Sequence, residues 1–145
     1  MATYYADHGT LGRRVHAGLN CVKSKYTYST TASAGDIVRF CKLPNNCTVT
    51  SVVFYGDLPN SSATTYKVGT DSSVARFYVS SSAITVLHNC TLIGTSEATR
   101  GIGYTFSASD DASNQWEYIS ATVLNAGTAT PGDSITAIIQ YVVTN

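Results

Sequence analysis

The stretch from Ala34 to Thr70, AGDIVRFCKLPNNCTVTSVVFYGDLPNSSATTYKVGT, constrains the fold of this chain more than any other segment. It contains three short runs rich in branched and aromatic residues, IVRFCKL, TVTSVVFY and ATTYKVGT, each bounded by turn chemistry. Gly35-Asp36 launches the first run, Pro44-Asn45-Asn46 closes it, and Leu58-Pro59-Asn60-Ser61-Ser62 closes the second. Pro presets a turn dihedral and Asn tolerates the left-handed region, so these runs read as three β-strands. Simple alternation puts Ile37, Arg39 and Cys41 on one face of the first strand, and Val38 and Phe40 on the other. In the second it sets Val49, Val53 and Tyr55 against Val52 and Phe54, which predicts burial on both sides, as in the middle of a sandwich.

Composition agrees with this reading. Ten Tyr, many Thr and Val and few helix-favouring residues suit a pleated, half-buried surface, so an all-β domain is expected. At 145 residues the chain fits a single domain, one that buries roughly 68 to 70% of its unfolded surface. Only 12% of residues are charged and the formal net charge is zero, which argues against electrostatic binding of nucleic acid. No apolar run reaches the ~18 residues of a membrane helix, and the N-terminal MATYYADHGTLGRR lacks the apolar core of a signal peptide. Synthesis and folding in a cytosol are therefore expected.

Residues 1–20 contain three glycines and no sustained period, and read as an extended N-terminal arm preceding a β-sandwich domain over 21–145. Arg13, Arg14, Lys23 and Lys25 outweigh Asp7, so the first thirty residues carry +3 and the remainder −3. A basic arm meeting an acidic protein surface fits this asymmetry, and so does a solvated terminus. Tyr4, Tyr5, Arg13 and Arg14 are the residue types that interfaces favour, and are the candidate contact residues.

In VKSKYTYST, Val22, Ser24, Tyr26 and Tyr28 alternate with Lys23, Lys25 and Thr27, which predicts a first strand with one polar face. TDSSVARFYVSSS places Val74, Phe77 and Tyr78 at helical spacing and is read here as a short helix or turn. SAITVLHNCTLIG and RGIGYTFSAS are further strand candidates, and QWEYISATVL alternates Trp116, Tyr118, Ser120 and Thr122 with Glu117, Ile119, Ala121 and Val123. DSITAIIQYVV puts Ile135, Ala137, Ile139, Tyr141 and Val143 on one unbroken apolar face. About eight strands between Gly, Pro and Asn turns indicate a β-sandwich, with jelly-roll and immunoglobulin-like topologies both open. SAGDIVRF and TPGDSITAIIQY both use Gly-Asp to launch a strand, as convergent turn chemistry would.

The residues that carry chemistry elsewhere are not arranged for it here. Cys21, Cys41, Cys47 and Cys90 form no C-x-x-C pair, so neither a zinc ribbon nor a thioredoxin-type site is expected. Cys41 and Cys47 flank the Pro44 turn and would face each other across a hairpin, although in a cytosol free buried thiols are the expectation. His8, His16 and His88 have no nucleophile motif beside them, Asp110, Asp111 and Asp133 lack calcium-loop spacing, and the sequons at Asn46, Asn60 and Asn89 matter only in a secretory pathway. No catalytic residue, cofactor or metal is expected.

Gly35, Asp36, Val38, Leu43, Pro44, Val49, Val53, Tyr55, Thr64, Thr65, Val68 and Gly69, with a looser echo in Gln140-Tyr141-Val142-Val143, form a pattern that resembles tailed-bacteriophage capsid decoration, or cement, proteins. The match covers about a third of the chain. The resemblance implies a jelly-roll-like β-sandwich on the outer capsid lattice, often a trimer, that bridges neighbouring major capsid protein subunits. It implies a virion location after synthesis in the host cytoplasm, with no membrane partner. The cysteines at 41 and 47 and the glycine-rich start depart from the pattern. The alternative reading is a receptor- or glycan-binding module of a head fibre or tail fibre, in which Trp116 and the many Tyr stack on sugars.

Overall fold

The computed structural model describes residues 1–6, 18–44, 46–57, 64–71, 73–79, 91–92, 105–106, 117–125 and 129–143. Their strands are β1 (Thr3–Tyr5), β2 (Gly18–Thr27), β3 (Ile37–Leu43), β4 (Cys47–Asp57), β5 (Tyr66–Thr70), β6 (Ser73–Val79), β7 (Thr91–Leu92), β8 (Thr105–Phe106), β9 (Glu117–Val123) and β10 (Ser134–Val143).

The two Gly-Asp launch points share one device. Asp36 N–H donates to the Ser33 carbonyl at 3.1 Å and Asp133 N–H to the Thr130 carbonyl at 3.0 Å. Gly35 and Gly132, the third residues of these turns, have φ of +88° and +96°, as a type II turn requires. Each Asp side chain then accepts the N–H of the turn's first residue, Ser33 at 2.9 Å and Thr130 at 2.9 Å. Four residues suffice to build this motif, so its recurrence reflects local chemistry.

Two sheets form, in the orders β1-β3-β9-β5-β6 and β2-β10-β4-β7, with β8 also pairing β4. Setting β1 and β8 aside, β2-β10-β4-β7 against β3-β9-β5-β6 is the jelly-roll order, and this topology excludes the immunoglobulin-like alternative. Successive strands β2, β3, β4 and β5 alternate between the sheets, so the Pro44 turn is an arch between layers. Cys41 and Cys47 accordingly lie in opposite sheets instead of facing across a hairpin, and both are buried thiols outside any disulfide. Burial pushes the Cys47 thiol up to about 12, with the nearby Glu117 carboxylate adding to the shift.

The segment read as a helix or turn is strand β6. It returns from β5 with Thr70 opposite Ser73 and Val68 opposite Tyr78, and Phe77 is buried in the core. Helical spacing of three apolar residues was outweighed by pairing with β5, a contact the local sequence does not encode.

Bulges explain where simple alternation failed. Between β3 and β9, Arg39 is opposite Ser120 and Cys41 opposite Ile119, leaving Phe40 as the extra residue. The face switches there, so Val38, Phe40, Cys41 and Leu43 are buried while Ile37, Arg39 and Lys42 point outward. Between β4 and β10, Gln140 is opposite Ser51 and Tyr141 opposite Val49, leaving Thr50 as the extra residue. Val49, Val52 and Phe54 are therefore buried together, whereas Val53 and Tyr55, which alternation grouped with Val49, are only half-buried. By contrast, the unbroken face of β10 holds: Ile135, Ala137, Ile139 and Tyr141 are buried and Val143 packs at its end.

Aromatic rings cross the core from sheet to sheet. Phe40 meets Phe54 edge-on at 6.1 Å, and Phe54 meets Tyr66 at 5.3 Å. The Tyr66 hydroxyl lies 3.0 Å from that of Tyr28, so each buried phenol satisfies the other. Burial raises the pKa of both phenols.

The ends of the segment expected to be an arm join the sheets. β1 runs parallel to β3, with Ile37 N–H donating to the Ala2 carbonyl and Ala6 N–H to the Arg39 carbonyl, both at 2.8 Å. Ala6 is buried, and Gly18–Asn20 open β2. Residues 7–17 lie outside the described residues. A three-residue edge strand is held by backbone pairing and shows no side-chain period, so the sequence does not announce it.

Candidate interaction surface

The outer face of the first sheet gathers the interface-type side chains. Register places Tyr5 opposite Arg39, Arg39 opposite Ser120, and Lys42 opposite Tyr118. The Phe40 bulge is what lets Arg39 and Lys42, an odd and an even position, share this face. The Arg39 guanidinium carbon lies 4.3 Å from the centroid of the Tyr118 ring and 5.7 Å from that of Tyr5. Its Nη1 donates to the Tyr5 hydroxyl at 3.1 Å, and its Nη2 lies 3.7 Å from a carboxylate oxygen of Asp71. The other Asp71 oxygen accepts the Tyr118 backbone N–H at 3.1 Å. The ion pair is partly exposed and contributes at most about 1 kcal/mol; its effect is to hold the guanidinium against the two rings.

Beside this cluster lies a depression of about 90 Å³ lined by Ile37, Gly69, Thr70, Asp71, Ser120 and Thr122. Gly69 contributes no side chain, which leaves the space open. The Ser120 hydroxyl and the Arg39 Nε are buried without a hydrogen-bond partner among the described residues. The face thus combines two tyrosines and a clamped arginine, residue types from which binding hot spots are built.

Of the residues nominated from sequence, the structure brings Tyr5 into this cluster, 42% exposed. Tyr4 turns the other way, half-buried, with its ring 5.3 Å from that of Tyr26 and its hydroxyl 3.4 Å from the Thr30 hydroxyl. It ties β1 to the opposite sheet. Arg13 and Arg14 lie outside the described residues, as do Trp116 and all three histidines. Arg39, Tyr118 and Asp71 were not nominated. The alternation of QWEYISATVL sets Tyr118 on the opposite face from Ile119 and Val123, but nothing local links it to Tyr5.

Among the described residues no group of three or more His, Cys, Asp or Glu side chains could hold a metal ion, and no helix is long and apolar enough to cross a membrane. No protein-family model matches the sequence, and no curated protein matches it. Solved structures do match the fold. A chain from the capsid asymmetric unit of cyanophage Pam1 superposes with a TM-score of 0.67 at 18% identity, covering 92% of this chain and 93% of that one. A chain from the capsid of Ralstonia phage GP4 gives 0.64 at 14% identity, covering 99% of each. A chain from the capsid of Helicobacter pylori bacteriophage KHP30 gives 0.59 at 15% identity, covering 90% of this chain and 92% of that one. Over 90–99% of its length the chain shares its fold with chains of phage capsid structures.

Proposed function

We propose that this protein is a non-enzymatic virion structural protein, a capsid decoration or cement protein that binds the outer capsid lattice as a homotrimer and bridges major capsid protein subunits. The observation that carries this reading is the end-to-end fold agreement with chains in three phage capsid structures, covering at least 90% of each partner. The Ala34–Thr70 pattern supports it independently. Tyr5, with Arg39 and Tyr118, supplies the anchor of the capsid-facing surface, and Tyr4 holds the strand that carries it. Arg13 and Arg14 pair with acidic groups of the capsid. Each contact, of a standard size near roughly 800 Å² per partner, repeats over a symmetric lattice, so modest affinity becomes firm attachment.

Co-sedimentation with undecorated capsids tests the reading. Wild-type protein should pellet with capsids, Tyr5→Ala and Arg39→Ala should reduce retention at least about tenfold as hot-spot truncations do, and Thr50→Ala, on the other sheet, should not. Failure of the wild-type protein to bind capsids would overturn the function. Unchanged retention of both variants would overturn the surface.

A further inference from the structure

Strand β2 stands at the edge of the second sheet. All ten of its residues are in register with β10, from Gly18 opposite Val143 to Thr27 opposite Ser134. Its other edge has no strand neighbour among the described residues. A long open edge presents a row of backbone donors and acceptors that invites a further strand.

The side chains of β2 restrict which strand can be added. Leu19, Cys21, Lys23, Lys25 and Thr27 are exposed on the outer side, while Val22 and Ser24 are buried and Asn20 and Tyr26 half-buried on the inner side. Neither lysine has an ion-pair partner among the described residues. A second copy is a poor occupant in the registers that overlap the middle of β2. Pairing two β2 edges about a two-fold axis requires a central residue, because centring between residues would set inner against outer side chains. Centred on Ser24, Lys23 of each copy faces Lys25 of the other; centred on Lys23, the two Lys23 side chains meet; centred on Val22, they sit diagonally. Like charges at these positions oppose pairing. A strand with carboxylates two residues apart would reverse the sign of every one of these contacts.

We propose that the free edge of β2 over Leu19–Lys25 is a strand-addition site for an extended acidic segment of a partner protein. Acidic residues two apart face Lys23 and Lys25, and the apolar residues between them turn toward the sandwich. Backbone hydrogen bonds hold the segment and the lysines select it. The partner need not be a capsid subunit.

The test uses the full chain and two decapeptides, one alternating Glu and Val and one alternating Lys and Val, with binding read by fluorescence anisotropy and amide hydrogen exchange. The acidic peptide should bind and slow exchange at outward amides of residues 19–25, the basic peptide should not, and added salt should weaken the complex. Lys23→Glu with Lys25→Glu should invert the preference, with at least about a fivefold loss for the acidic peptide. Lys23→Gln with Lys25→Gln should abolish the preference without inverting it. Equal binding of both peptides, protection mapping elsewhere, or no binding would overturn the proposal. So would concentration-dependent protection of the same amides without peptide, which would make the occupant a second copy.

Discussion

Replacing Tyr66 by Phe tests how the core is held together. The two phenol oxygens lie 3.0 Å apart in the protein interior, and Tyr28 and Tyr66 are 2% and 0% exposed. Removing one hydroxyl loses a hydrogen bond worth about 1 kcal/mol net and leaves the other buried and unpaired, a penalty of about 1–3 kcal/mol. Tyr66→Phe should therefore cost about 2 kcal/mol or more, lowering Tm by about 6–8 °C for a chain of this length. Tyr28→Phe should cost a similar amount. The double variant removes donor and acceptor together and keeps both rings, including the edge-on contact of position 66 with Phe54, so it should lose no more than about 1 kcal/mol. Urea denaturation of wild type, both single variants and the double variant closes the cycle. Additive losses would rule out the Tyr28–Tyr66 pairing, because they would mean that each hydroxyl is satisfied by something other than its partner.

Alkaline titration should destabilise the fold from about pH 9 upward. A buried thiol raised from 9.0 to about 12 stays protonated in the folded chain while the unfolded chain ionises, so its stability is complete below pH 9 and is lost toward 12. Tyr28 and Tyr66, raised above 10.0, add to this from pH 10; Cys47→Ala should flatten the onset between pH 9 and 10 in urea midpoints, and an unaltered slope would contradict it. Gly35→Ala and Gly132→Ala should each destabilise by about 1 kcal/mol or more in thermal unfolding, because φ of +88° and +96° strains any residue with a Cβ. At Gly35 the added Cβ would lie 3.7 Å from Met1, so the loss there is conformational and not steric. Asp36→Ala removes acceptors for the Ala2 and Ser33 N–H groups, at 2.8 and 2.9 Å. It should cost about 1.5–3 kcal/mol and speed amide exchange at Ile37 and Ala6 before the rest of the sheet.

Properties set by neighbours a few residues apart were legible in the chain itself. Turn chemistry at Gly35-Asp36 and Gly132-Asp133, the apolar face of β10, and the lysine face of β2 all follow from dihedral preference and strict alternation. The all-β sandwich follows from their sum. Tertiary structure decided the rest, because each remaining feature depends on which strand lies alongside. Phe40 and Thr50 become bulges only against β9 and β10, and the Phe40 bulge moved Cys41 into the core and brought Arg39 and Lys42 onto one outer face. The passage from β3 to β4 crosses between sheets, which separates Cys41 from Cys47. Residues 73–79 extend because β5 offers a partner, and Thr3–Tyr5 pair because the β3 edge is open. The cluster of Tyr5, Arg39, Asp71 and Tyr118 joins positions far apart in the chain, on three strands and the turn after a fourth, and no local pattern could have assembled it.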